Sequence, residues 1–78
     1  MLEKKIHFQV VDDIAEFVRA AEKCEYEVAV ISNTASLDAK SIIGVMSMDL
    51  SEGLTVQYRH EDRDIETVLD KFAVEENA

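Results

Sequence analysis

Residues 40–50 read Lys-Ser-Ile-Ile-Gly-Val-Met-Ser-Met-Asp-Leu, and the rest of the chain can be ordered around them. A serine set before an apolar run reads as a helix N-cap, because its hydroxyl oxygen accepts from a first-turn N–H that has no partner inside the helix. With Ser41 as that cap, a short helix is expected over residues 42–50. Glu52-Gly53 closes it, glycine being the usual residue past a helix terminus. The segment is apolar nearly all round, through Ile42, Ile43, Val45, Met46, Met48 and Leu50. A helix lying on one side of a sheet cannot bury every face, so part of this surface is expected to stay exposed.

On either side the pattern changes from helical to extended. Residues 54–59 (LTVQYR) alternate, with Leu54, Val56 and Tyr58 on one face, and predict a strand. Residues 35–39 (ASLDA) predict a short strand before the helix, joined through the turn residues Ser32-Asn33-Thr34 to a β-branched strand over residues 26–32. Near the start, residues 4–11 (KKIHFQVV) place Ile6, Phe8 and Val10 on one side of a strand and His7 and Gln9 on the other. Asp12 and Asp13 then suit the positive end of a helix whose apolar stripe is Ile14, Phe17, Val18 and Ala21, ending near Cys24. Asp64 is the expected cap of a last helix with the stripe Ile65, Val68, Leu69 and Phe72. The order is βαββαβα, an α+β domain with four strands and three one-sided helices on one face of the sheet.

Composition narrows the function classes. The chain has 78 residues, enough for one domain over residues 1–78. It carries 17 acidic and 8 basic residues, a formal charge of -9, and that charge repels phosphate backbones, so no nucleic-acid partner is expected. One cysteine excludes an internal disulfide framework and a cysteine-rich zinc module. There is no proline. No apolar run approaches the roughly 18 residues that span a bilayer, and no signal-peptide pattern opens the chain, so a cytoplasmic protein without membrane attachment is expected.

Lys40-Ser41-Ile42-Ile43-Gly44-Val45-Met46-Ser47 resembles the K-S-I-M-G-V-M-S signature of HPr, the histidine-containing phosphocarrier family of the bacterial sugar phosphotransferase system. The element order agrees with that family, Ala20-Ala21-Glu22-Lys23 is similar to its A-A-x-K, and Gly53 and Asp64 fall where it has a glycine and the start of the last helix. The resemblance implies an open-faced β-sandwich, a four-stranded antiparallel sheet with three helices on one face. It also implies phosphoryl relay, in which a histidine between the first strand and the first helix takes phosphate from Enzyme I and hands it to sugar-specific domains. The motif for that step is G-[IL]-H-x-R-P-A. Its histidine is the nucleophile, its arginine steadies the phosphoryl charge, and the helix N-terminus adds positive dipoles.

That motif is missing. Between Val10 and Phe17 the chain has only Val11-Asp12-Asp13-Ile14-Ala15-Glu16, with no Gly, His, Arg or Pro, and Asp12 and Asp13 fall nearest the arginine and proline positions. A carboxylate there would repel the phosphoryl group that the arginine stabilises. Relay is therefore not expected, and no catalytic residue is assigned. His7 reads as a solvated strand residue and His60 as a polar loop residue. A His60, Glu61, Asp62 and Asp64 metal site rests only on closeness within one loop, and neither a metal nor a cofactor is expected. Cys24 reads as a structural thiol, and a small enzyme built around His60 lacks a visible acid–base pairing.

By the resemblance, Ser41 is the candidate regulatory phosphosite, the serine that a serine kinase modifies in many members, with a plain N-cap as the alternative. Lys40, Ile42, Ile43, Met46 and Met48 are then the expected docking surface, with ordinary core packing as the alternative for each apolar residue. Two functions follow. The first is a non-relaying, regulatory or partner-docking protein, as in the catabolite-repression HPr-like proteins of bacilli, which lack the histidine. The second is an interaction module of the same fold with no link to sugar transport. Protein partners, and a monomer or weak homodimer, are expected.

Overall fold

The structure, a computed structural model, describes residues 1–33, 35–47, 53–59 and 61–74. Its elements in chain order are β1 (Leu2–Ile6), α1 (Val11–Glu22), β2 (Ala29–Ile31), β3 (Ser36–Asp38), α2 (Ile42–Met46), β4 (Leu54–Tyr58) and α3 (Arg63–Phe72). The strands form one antiparallel sheet in the order β1-β4-β2-β3. The expected βαββαβα order and α+β class are found.

Alternation decides which side of the sheet is covered. Leu54, Val56 and Tyr58 of β4 are buried while Thr55 and Gln57 between them are not. β1 repeats the pattern, with Ile6 buried and Glu3 and Lys5 exposed. On the open side Gln57 Nε2 donates to Glu3 Oε2 at 2.6 Å, across a register pair. On the covered side the predicted stripe of α1 (Ile14, Phe17, Val18, Ala21) and Ile65 and Leu69 of α3 are all buried, together with Val28, Val30 and Val45. Each valine, leucine, isoleucine or phenylalanine among them contributes about 1.5–3 kcal/mol by leaving water. Phe8 ties two helices together: its ring lies 5.6 Å from that of Phe17 and 5.4 Å from that of Phe72, tilted and edge-on.

Several boundaries differ from the sequence reading. β1 runs over Leu2–Ile6 rather than residues 4–11, because its ladder partner β4 begins at Leu54, opposite Ile6. Phe8 is still buried, but Val10 has left the sheet and is exposed as the residue before α1. The chain after α3 then uses the free edge of β1: His7 N–H donates to Phe72 O at 2.9 Å and Val74 N–H to Lys5 O at 3.0 Å. That pairing covers one of the two sheet edges. β2 and β3 are three residues each, shorter than predicted. α2 is described over Ile42–Met46, and Met48, Asp49 and Leu50 of the predicted helix lie outside the described residues.

The cap of α3 is Asp62, not Asp64. Asp62 Oδ1 accepts from Asp64 N–H at 3.0 Å and Ile65 N–H at 3.4 Å, while Glu66 Oε1 accepts from Asp62 N–H at 3.1 Å. The same two carboxylates anchor the helix to the rest of the fold. Tyr26 Oη donates to Asp62 Oδ2 at 3.3 Å, and Tyr58 Oη donates to Glu66 Oε2 at 3.0 Å. No helix among the described residues is long and apolar enough to cross a membrane.

Candidate functional site

Lys40 and Ser41 connect β3 to α2, and their backbone is held from behind. Lys40 N–H donates to Asp38 Oδ1 at 2.9 Å and Ser41 N–H to Asp38 O at 3.0 Å. Ser41 is extended, with φ -94° and ψ 99°, and its Oγ accepts from Gly44 N–H at 3.3 Å, the cap predicted from the sequence. A Cβ at Gly44 would lie 3.3 Å from Ser41 Oγ, a tight contact that would shift the cap by a few tenths of an ångström, and 3.9 Å from Leu37 Cδ1, an ordinary contact. Ser41 itself is exposed.

The apolar surface of α2 divides as its geometry requires. Val45 points inward and is buried. Ile42 is 41% exposed, Met46 48% and Ile43 83%. An isoleucine that open costs solvation free energy with no packing in return, so three such neighbours on one short helix form an uncovered apolar patch. Lys40, expected on the same surface, is half-buried and has another role: its Nζ donates to Cys24 O at 2.8 Å, just past the C-terminus of α1. Met48 lies outside the described residues.

The β1–α1 connection is residues 7–10, His-Phe-Gln-Val. Asp12 and Asp13 occupy the first turn of α1, where the sequence placed them. Asp13 Oδ2 accepts from Gln9 N–H at 3.0 Å and Val10 N–H at 3.3 Å, so a carboxylate takes up backbone donors of this connection. Val10 and Val11 stand in the open beside it, 54% and 49% exposed. Alternation had put Val10 inside; nothing in a period-two pattern shows where a strand stops. His7, expected as a solvated strand residue, instead follows the end of β1 as the first residue of this connection; it is half-buried and borders a shallow cleft with Asp13, Lys71 and Phe72.

His60 lies outside the described residues, and Asp62 is already engaged as the α3 cap and as the acceptor for Tyr26. Cys24 is buried, with Sγ 3.7 Å from Ala20 O and 3.9 Å from Asp62 Oδ2. Burial raises its thiol pKa, and the Asp62 carboxylate adds to the rise, so the thiolate is disfavoured. Burial, then the bond to Glu66, pushes the Tyr58 hydroxyl up to about 12. Tyr26 is raised as well, by burial first and then by its contacts with Cys24 and Asp62.

One antiparallel sheet carrying three helices, with its core between them, defines an open-faced β-sandwich. A family model described as "PTS HPr component phosphorylation site" matches residues 12–74, and the chain belongs to that family. The expectation drawn from residues 40–47 is thereby met. The match begins in the first turn of α1, so β1 and residues 7–10 lie outside it. The fold is similar to that in the crystal structure of a phosphocarrier protein HPr from Bacillus anthracis str. Ames, with a TM-score of 0.62 and 18% identity over 91% of this chain and 95% of that one. No curated protein matches the chain in sequence.

Proposed function

We propose that this member of the HPr family does not carry out phosphohistidine relay and acts by docking partners through α2, with Ser41 as its regulatory phosphosite. The observation that carries the reading is the β1–α1 connection. Residues 7–10 contain one histidine, His7, but it stands directly after β1 with no arginine, glycine or proline beside it, and the Asp13 carboxylate holds the N–H groups of Gln9 and Val10. A phosphoryl group arriving there would meet negative charge where relay needs positive charge. α2, by contrast, leaves Ile42, Ile43 and Met46 exposed, which supports docking through this helix. Ser41 is exposed, and its hydroxyl makes one long cap bond, so adding a phosphate there disturbs little packing.

The test has two arms. The purified protein is incubated with Enzyme I and phosphoenolpyruvate, and separately with the family's serine kinase and ATP, and labelled residues are mapped by mass spectrometry. No histidine label and a Ser41 label are expected. Label on His7 or His60 would overturn the loss of relay. Failure to label Ser41 would remove the regulatory site and leave the second reading, a docking module of this fold outside sugar transport.

A further inference from the structure

α1 lies between α2 and α3, and the seam it makes with α3 is an open groove of about 430 Å³. Its floor includes Ala20 and Val68, and its walls carry Arg19 and Lys23 from α1 and Arg63 from α3. For a chain of formal charge -9, this is an unusual use of cations. Three other basic residues are engaged: Lys4 pairs with Asp70 at 2.5 Å, Lys71 with Glu16 at 2.6 Å, and Lys40 holds the Cys24 carbonyl. Arg19, Lys23 and Arg63 are exposed, and none forms an ion pair with a described residue.

Their placement is not explained by the stability of the domain. Arg19 and Lys23 gain from the negative end of α1, but at a spacing of four residues they repel one another. Arg63 is the first residue of α3, the end at which a cation is disfavoured. The groove also holds two acids, Glu16, which is neutralised by Lys71, and Asp64. Three cations therefore meet two carboxylates, one of them already paired, beside Ala20, Thr67 and Val68.

From this arrangement we infer that the α1–α3 groove is a second docking surface, separate from α2, which takes an acidic amphipathic segment of a partner protein. Guanidinium groups on both walls present planar forks that match carboxylates, and Ala20 and Val68 offer a place for an apolar side chain between them. The groove is open along the seam, which suits a peptide laid lengthwise rather than an enclosed small molecule. A second copy docking through its exposed α2 surface is disfavoured as occupant, because Ile42–Met46 carries no carboxylate to meet the groove cations.

The probe is a short labelled peptide with glutamate and leucine in amphipathic helical order, titrated by fluorescence anisotropy and mapped by amide chemical-shift changes. Shifts are expected along α1 and α3 around Arg19, Lys23 and Arg63. Arg19→Glu and Arg63→Glu are each expected to weaken binding about fivefold, the scale of exposed charge pairs lost and reversed. Arg59→Glu makes the same change in net charge outside the groove and should leave affinity within about twofold. Circular dichroism of each variant checks that it remains folded. Absence of peptide binding, equal weakening by Arg59→Glu, or shifts confined to α2 would each overturn the proposal. So would displacement of the peptide by inorganic pyrophosphate alone, which would make the groove a small-anion site, or sedimentation showing that self-association competes for it.

Discussion

Replacing Asp62 by alanine removes two things at once. The first turn of α3 loses the carboxylate that accepts from Asp64 N–H and Ile65 N–H, and Tyr26 loses its contact with Asp62 Oδ2. An N-cap of this kind contributes about 1 kcal/mol, and a part-buried side-chain hydrogen bond about 1 kcal/mol more. The expected loss is roughly 2 kcal/mol, a large share of what a domain of this size has to spare. In thermal unfolding followed by circular dichroism, that corresponds to a fall in Tm of about 8–16 °C. Asp62→Asn keeps a capping oxygen and should recover about half of the loss or more. Asp64→Ala, at the position which sequence pattern favours, removes only a charge near the helix dipole and should cost about 0.5 kcal/mol. In a Tyr26→Phe background the Asp62→Ala loss should shrink to the cap alone, about 1 kcal/mol. An Asp64→Ala protein as unstable as Asp62→Ala would refute the assignment of the cap. Equal Asp62→Ala losses in both backgrounds would show that the link to Tyr26 carries nothing.

Three further expectations follow from burial and charge. Phe8→Ala removes the ring packed between Phe17 and Phe72 and should cost about 3–5 kcal/mol, enough to leave little folded protein in a denaturant titration near body temperature. Ile43→Ser, at a residue 83% exposed, should change stability by less than about 0.5 kcal/mol, and a pull-down or titration with an α2-directed partner should lose affinity. Tyr58 ionises near its ordinary value of 10.0 when unfolded and at about 12 when folded. Between those values the native state therefore holds more protons, and stability, fully present below pH 10, falls as pH rises through this window. Tyrosinate absorbance should accordingly appear together with unfolding, and Tyr58→Phe should flatten that alkaline limb.

Much of the fold was legible because side-chain periodicity is a local property. Leu54, Val56 and Tyr58 mark β4 without reference to any neighbour, and the stripe of Ile14, Phe17, Val18 and Ala21 marks α1 in the same way. Ser41 and Gly44 also act over a single turn, so the α2 cap could be read directly. Val10 could not. Its alternation with Ile6 and Phe8 continues past the last rung of the β1–β4 ladder, and the rung count depends on where β4 begins, far along the chain. Asp62 was missed for a similar reason. Asp62 and Asp64 are equally good caps by type, and the choice between them rests on Tyr26 and Glu66, which fix Asp62 from two sides.

The functional surface divides along the same line. That the relay motif is missing, that the first turn of α1 is acidic and that α2 is apolar are matters of residue identity, and identity needs no coordinates. Which of those apolar residues are uncovered depends on packing: Val45 is buried beneath α2 while Ile43 faces solvent. Lys40 shows the limit most clearly. In the chain it adjoins Ser41 and the apolar run of α2, but folding brings the Cys24 carbonyl within reach of its ammonium, and a hydrogen bond between segments 16 residues apart gives it a structural role. The groove between α1 and α3 goes further still. Arg19, Lys23 and Arg63 are scattered among acids in the sequence, and a shared cationic surface exists only because two amphipathic helices bury their stripes against one sheet and lie side by side.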